Sequence, residues 1–142
     1  MINKTSIKIL VLMIVCAMLL AGCSVSNYHL TEEACHIQSI ALYDTNELIL
    51  EINDSTLLEQ IIASLETLPL SHYGNPPCYD VGEKYIQINY DDGNYEQISS
   101  SAIRMIREEE SFCNGFDYIA TDVFDSLFER LVELSKTLET NE

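Results

Sequence analysis

The chain has no tryptophan, three prolines, five glycines and only seven lysines and arginines in 142 residues. Each shortage excludes something. Low Gly and Pro beside 47% hydrophobic residues rule out a collagenous or disordered chain, since there is enough apolar surface to offset the entropy of ordering. The few basic residues face 23 acidic ones, for a formal charge of −16, and this removes nucleic acid from the partners because affinity for a phosphate backbone comes from Lys and Arg. The glycines stand isolated at positions 22, 74, 82, 93 and 115, so there is no glycine-rich phosphate loop. Without Trp, the core must be filled by Leu, Ile, Phe and some of the eight tyrosines.

A long apolar run is missing too. The charge-free stretch from Ile9 to Ala21 falls short of the roughly 20 residues needed to cross a bilayer. Preceded by Lys4 and Lys8, it has the charged-then-apolar order of an export signal. It ends in Leu20-Ala21-Gly22-Cys23. This stretch resembles the lipobox of bacterial lipoproteins, in which a Cys follows two small residues and a Leu. The resemblance covers residues 1 to 23. It implies that cleavage falls between Gly22 and Cys23, that the Cys23 thiol carries a diacylglyceryl group, and that the new N-terminus is open to acylation in turn. Two or three acyl chains hold a protein stably where one is marginal, at about 0.8 kcal/mol per buried methylene. Residues 1–22 are then a lipoprotein signal peptide, 23–27 the lipidated Cys and a short tether, and 28–142 a domain at the cell membrane on its extracytoplasmic side. There, thiols can form lasting disulfides. Without Lys4 and Lys8 the mature chain keeps five basic residues against 23 acidic ones, a formal −18. An anionic leaflet repels such a domain within a Debye length of about 8 Å, so it should stand off the surface.

Residues 28–142 carry no repeat, low-complexity tract or linker and read as one α+β domain. Asn53-Asp54-Ser55-Thr56 offers several N-cap candidates, Thr56 with Glu59 fits a capping box, and Leu57, Leu58, Ile61, Ile62, Leu65 and Leu68 recur at helical spacing until Pro69 stops the run. A second helix is expected from about Asp122 to Leu138, with Val123, Phe124, Leu127, Phe128, Leu131 and Leu138 as its apolar stripe. Strands are expected at His36 to Tyr43 and Glu47 to Ile52, around the turn residues Asp44-Thr45-Asn46. In the second of these, Leu48, Leu50 and Ile52 share one face. Tyr85 to Tyr90 and Tyr95 to about Ile106 flank Asp91-Asp92-Gly93-Asn94, where a three-residue loop through Asn94 pairs Ile88 with Ile98. A fifth strand, Phe116 to Ala120, leads into the last helix. The order ββ-α-βββ-α, with two helices on one face of an antiparallel sheet, is a two-layer sandwich. With the lipobox, this order resembles small lipoproteins of Gram-positive bacteria whose function is unknown, a likeness that implies no activity.

Chemistry is sparse. Ser99-Ser100-Ser101 has no glycine-flanked elbow and falls in a predicted strand, so it reads as a polar edge and no catalytic residue is assigned. Cys35-His36, His72, Cys78 and Cys113 are soft ligands without a C-x-x-C or H-x-x-x-H spacing, and no metal or other cofactor is assigned. Asp91 to Asn94 lacks the ligand ladder of a calcium loop and reads as a hairpin turn. Glu108-Glu109-Glu110 reads as a solvated loop. The topology brings Cys78 and Cys113 to one end of the sheet, so these two are expected to pair, leaving Cys35 free. Leu70 to Gly82 is a long irregular stretch whose Tyr73 and Tyr79, stiffened by Pro76 and Pro77, suit partner contact. The leading expectation is a non-catalytic, membrane-anchored binding module that meets a basic protein or peptide through Tyr73 and Tyr79. A soft-metal or small-ligand binding lipoprotein is the alternative, and an enzyme with an unseen site the third reading. Replacing Cys23 by Ala should leave an uncleaved precursor that incorporates no labelled fatty acid; labelled, processed protein would contradict the lipobox reading.

Overall fold

Alternation of apolar and polar residues builds most of this molecule, and its interruptions decide the details. The computed structural model describes residues 26–72, 80–113 and 117–139. A single 3-10 turn, Ala34–His36, precedes the strands β1 (Ile37–Asp44) and β2 (Glu47–Ile52), then helix α1 (Ser55–Leu65). Strands β3 (Leu70–His72), β4 (Tyr85–Tyr90), β5 (Tyr95–Ile98), β6 (Ile103–Arg107), β7 (Glu110–Cys113) and β8 (Asp117–Ile119) follow, and helix α2 (Thr121–Glu139) ends the described chain. Six strands form one antiparallel sheet in the order β2-β1-β4-β5-β6-β7, while β3 and β8 pair apart as a short ribbon.

Both helices lie on one face of the sheet. Ile40, Leu42, Ile86, Ile88, Ile98, Ile103 and Met105 from the strands share a single core with Leu58, Ile61, Ile62 and Leu65 of α1 and Phe124, Leu127, Phe128 and Leu131 of α2. The expected α+β two-layer architecture is therefore present, with eight strands among the described residues where five were expected. Among the described residues no helix is long and apolar enough to cross a membrane.

Several local expectations are corrected. Of the N-cap candidates it is Asp54, rather than Thr56 of the capping box, that caps α1: its carboxylate accepts from Leu57 N–H at 3.0 Å. Helix α1 ends at Leu65, before Pro69, which bridges to Asn27. The long strand from Tyr95 splits in two around Ser99, whose buried hydroxyl accepts from the Ser101 and Ala102 N–H groups at 3.0 and 3.1 Å. Those serines form a turn, because a hydroxyl that satisfies local amides competes with the ladder. The acidic run Glu108-Glu109 is a two-residue hairpin turn, both residues at positive φ, and Glu110 begins β7. Leu70–His72, expected in an irregular loop, pairs with β8.

Register supplies two further corrections. Ile88 stands opposite Glu96, and Ile98 opposite Ile86. The loop is three residues, Asp91 to Gly93, closed by the Tyr90 N–H to Asn94 carbonyl bond, with Gly93 at φ +85°. A shift of two residues keeps every side chain on its face, so the apolar pattern could not distinguish this register from the expected one. In β2 a bulge between Leu42 and Tyr43 of its partner changes the parity: Leu50 faces the core opposite Leu42, whereas Leu48 stands opposite Tyr43 on the other face and is exposed.

Cys78 lies outside the described residues, and so does the Cys113 side chain. The described neighbours bear on the expected pairing: Cys113 stands opposite Arg104 in the β6–β7 ladder, and Arg104 meets Asp80 at 3.4 Å, two positions from Cys78. That proximity supports a Cys78–Cys113 disulfide, proposed here. Closing a loop of this size contributes about 4 kcal/mol in the chain-entropy model. Peptide mapping without reduction should recover Cys78 joined to Cys113, and reduction should lower the urea midpoint; a crosslinked peptide containing Cys35 would contradict the assignment.

Candidate functional site

The sheet face away from the helices is polar and aromatic, and strand register makes it so. One row across it runs Glu51, Ala41, Gln87, Gln97, Arg104 and Cys113 from β2 to β7. The row on one side holds Ser39, Asn89, Tyr95, Ile106 and Ser111; that on the other holds Leu48, Tyr43 and Tyr85. Residues that would form an ordinary solvated face are here bonded to one another. Arg104 Nη2 donates to Gln97 Oε1 at 3.0 Å, Gln97 Nε2 to Gln87 Oε1 at 3.0 Å, and Gln87 Nε2 to Asn89 Oδ1 at 2.8 Å. The chain continues from Asn89 Nδ2 to Ser39 Oγ at 3.0 Å and from Ser39 Oγ to Glu51 Oε1 at 2.8 Å. Every donor points the same way, from a cation to an anion. Such chains polarise and stiffen their members, and each amide keeps spare capacity for a ligand.

The Tyr43 and Tyr85 rings stack 4.8 Å apart at the edge of this network, with exposed Leu48 beside Tyr43. At the opposite end a shallow cleft of about 320 Å³ is lined by Ser39, Glu51, Asn53, Asn89 and Asn94. The face therefore offers an aromatic platform, a fixed set of amides, and charges of opposite sign at its two ends.

The N-terminal segment is docked, not loose. Ser26 and Asn27, expected in the tether, already pair with the domain: Leu70 N–H donates to the Ser26 carbonyl at 2.8 Å, and Asn27 bridges Pro69. Tyr28 follows, 1% exposed, its N–H donating to the Leu68 carbonyl. Its ring reaches Glu96, which is completely buried. Glu96 Oε2 accepts from Thr31 N–H at 3.3 Å and from the Tyr90 hydroxyl at 3.0 Å. Glu96 Oε1 and the Tyr28 hydroxyl are both buried without a hydrogen-bond partner among the described residues. Burial holds the Glu96 carboxyl above the usual range, partly countered by neighbouring Tyr28 and by the donors from Thr31 and Tyr90. Burial, then the neighbouring Glu96, raises both tyrosines.

The docking also creates a constellation that the sequence hid. Ser26 Oγ lies 3.3 Å from His72 Nε2, and His72 Nδ1 meets the Asp117 carboxylate. A carboxylate only accepts, so Nδ1 donates to Asp117 and Nε2 of the neutral ring accepts from the Ser26 hydroxyl. That is the serine, histidine, aspartate order of a hydrolase triad. Its setting differs: the His72 side chain is 57% exposed, whereas electrostatic catalysis depends on a water-excluded site. The trio pins the docked segment to the β3–β8 ribbon. Its members lie 46 and 45 residues apart, so no local motif could announce them.

Of the residues singled out from sequence, Cys23, Tyr73 and Tyr79 lie outside the described residues, as does Cys78. Cys35 is exposed with a free thiol. His36 lies in the 3-10 turn and His72 in the β3–β8 ribbon. Comparison with protein-family models, curated proteins and solved structures finds no match.

Proposed function

We propose that the chain is a lipid-anchored, extracytoplasmic binding module that engages a basic protein or peptide over the open sheet face. The observation that carries this reading is the prearranged network from Arg104 to Glu51 beside the Tyr43–Tyr85 stack. Groups already fixed by one another lose little entropy on docking. Stacked tyrosines supply area and a seat for a cation, and the acidity of the mature chain steers a basic partner. Asp80, the first described residue after the segment holding Tyr73 and Tyr79, pairs with Arg104 of this face at 3.4 Å. The expected tyrosine contacts are thereby compatible with the same surface.

Anchoring adds orientation. If Cys23 carries lipid, three residue steps of about 3.3 to 3.6 Å separate it from docked Ser26. The β3–β8 ribbon is then the membrane-proximal end, and the domain is presented in a restricted set of orientations.

A photo-crosslinking side chain at Gln87 of the anchored protein should capture a basic partner, and one at Glu129 on exposed α2 should not. Replacing Tyr43 and Tyr85 together by Ser should lower the yield several-fold without unfolding the domain, and raised salt should slow association. Capture only from Glu129, or an undiminished yield in the double variant, would contradict the assignment. A fluorophosphonate should leave Ser26 unmodified; an adduct there that requires His72 would overturn the non-catalytic reading.

A further inference from the structure

Away from the open face, the 3-10 turn gathers three different metal-binding groups. A carboxylate oxygen of Glu33, the Cys35 thiol and one ring nitrogen of His36 all lie within 4.8 Å of one another. The turn is stitched from within and without: His36 N–H donates to the Glu33 carbonyl at 3.0 Å, and Asp91 N–H, in the β4–β5 loop, donates to the His36 carbonyl at 2.9 Å. The Asp91 carboxylate also sits 3.2 Å from His36 Nδ1. Because that carboxylate can only accept, Nδ1 carries the proton and the lone pair of the neutral ring is left on Nε2. A carboxylate that fixes the tautomer in this way is the usual outer partner of a metal-bound histidine. Neighbouring Glu32 is engaged by Arg107 at 3.3 Å, whereas the Glu33 carboxylate meets the Cys35 thiol at 3.6 Å.

We propose that Glu33, Cys35 and His36 form a binding site for a borderline-soft divalent cation, zinc above all, with Asp91 as the positioning residue. One thiolate, one imidazole and one carboxylate suit zinc better than calcium or magnesium, which take oxygen ligands. Zinc–ligand lengths of about 2.0 to 2.3 Å place donors roughly 3.3 to 3.8 Å apart in a tetrahedron. The three groups, now within 4.8 Å of one another by one ring nitrogen of His36, would reach that spacing by rotamer and ring adjustment of exposed side chains. Ligation would also account for an odd, exposed thiol in an exported chain, where an unprotected one is open to oxidation.

Three protein ligands leave a fourth position open. Cys35 borders a groove of about 520 Å³ between the turn and α1, lined also by Ile37, Leu58, Glu59 and Ile62. An exchangeable fourth ligand, water or a small donor molecule, would enter from there. This site is separate from the open sheet face and stands or falls apart from it.

The test uses the untagged, lipidated mature chain in detergent, with Cys35 reduced, titrated with cobalt(II) and then displaced by zinc(II). One equivalent of cobalt should bind and give a thiolate-to-metal charge-transfer band. Cys35→Ser should abolish the band; Glu33→Gln and His36→Ala should each weaken binding at least ten-fold. Asp91→Asn should weaken it about 10- to 100-fold, as loss of an outer-shell partner does. The replaced groups of Glu33, Cys35 and His36 are all exposed, so circular dichroism should show the variants folded. Replacing Cys78 and Cys113 together by Ser should leave the band in place. No band at stoichiometric cobalt, or a band that survives Cys35→Ser, would overturn the site.

Discussion

A completely buried carboxyl group, that of Glu96, is the constraint on which the rest of the arrangement depends. An unpaired carboxylate there would be prohibitive, so the fold must bring donors to it. They come from two directions: Tyr90 across the β4–β5 hairpin, and Thr31 from the N-terminal segment in which Tyr28 is buried. Meeting the needs of one acid thus fixes where the chain enters the domain. Glu32, next to Thr31, extends the same strap to Arg107 at the far end of β6.

That strap shapes the functional argument. A docked entry from Ser26 onward ties the start of the domain to β3 and brings Ser26 to His72 and Asp117. It also leads directly into the 3-10 turn that carries Glu33, Cys35 and His36, with His36 held against the Asp91 loop. The other face of the sheet has no helix on it among the described residues, and its polar side chains satisfy one another instead. Core, strap and open face are therefore consequences of strand alternation, with one acid placed on the apolar side of β5.

Much of the architecture was legible because it follows from periodicity. Leu58, Ile61, Ile62 and Leu65 announce α1, and Ile86, Ile88 and Tyr90 announce the inward face of β4. What escaped were features that periodicity does not encode. A bulge reverses parity at Leu48, and a two-residue register shift leaves every face unchanged while putting Glu96 opposite Ile88. The serines at 99 to 101 have polar composition compatible with either an edge or a turn, and only the buried hydroxyl of Ser99 decides between them. At the candidate sites the limit was distance along the chain. Arg104, Gln97, Gln87, Asn89, Ser39 and Glu51 become one network only through the pairing of five strands, and Ser26, His72 and Asp117 only through docking of the entry segment. Glu33, Cys35 and His36 were local and visible; their orienting partner Asp91, 55 residues from His36, was not.

The most direct measurement compares urea unfolding of the native chain and Glu96→Gln across pH. Burial raises the Glu96 carboxyl in the folded state, so the stability it contributes is full below the ordinary glutamate range and is lost as pH rises through its folded value. Gln keeps a polar group that can bond to the same neighbours and cannot ionise. The stability of Glu96→Gln relative to the native chain should therefore increase with pH through that window and then level off, the remaining carboxylates cancelling in the difference. A difference independent of pH, or one in which the native chain gains on the variant as pH rises, would contradict the account.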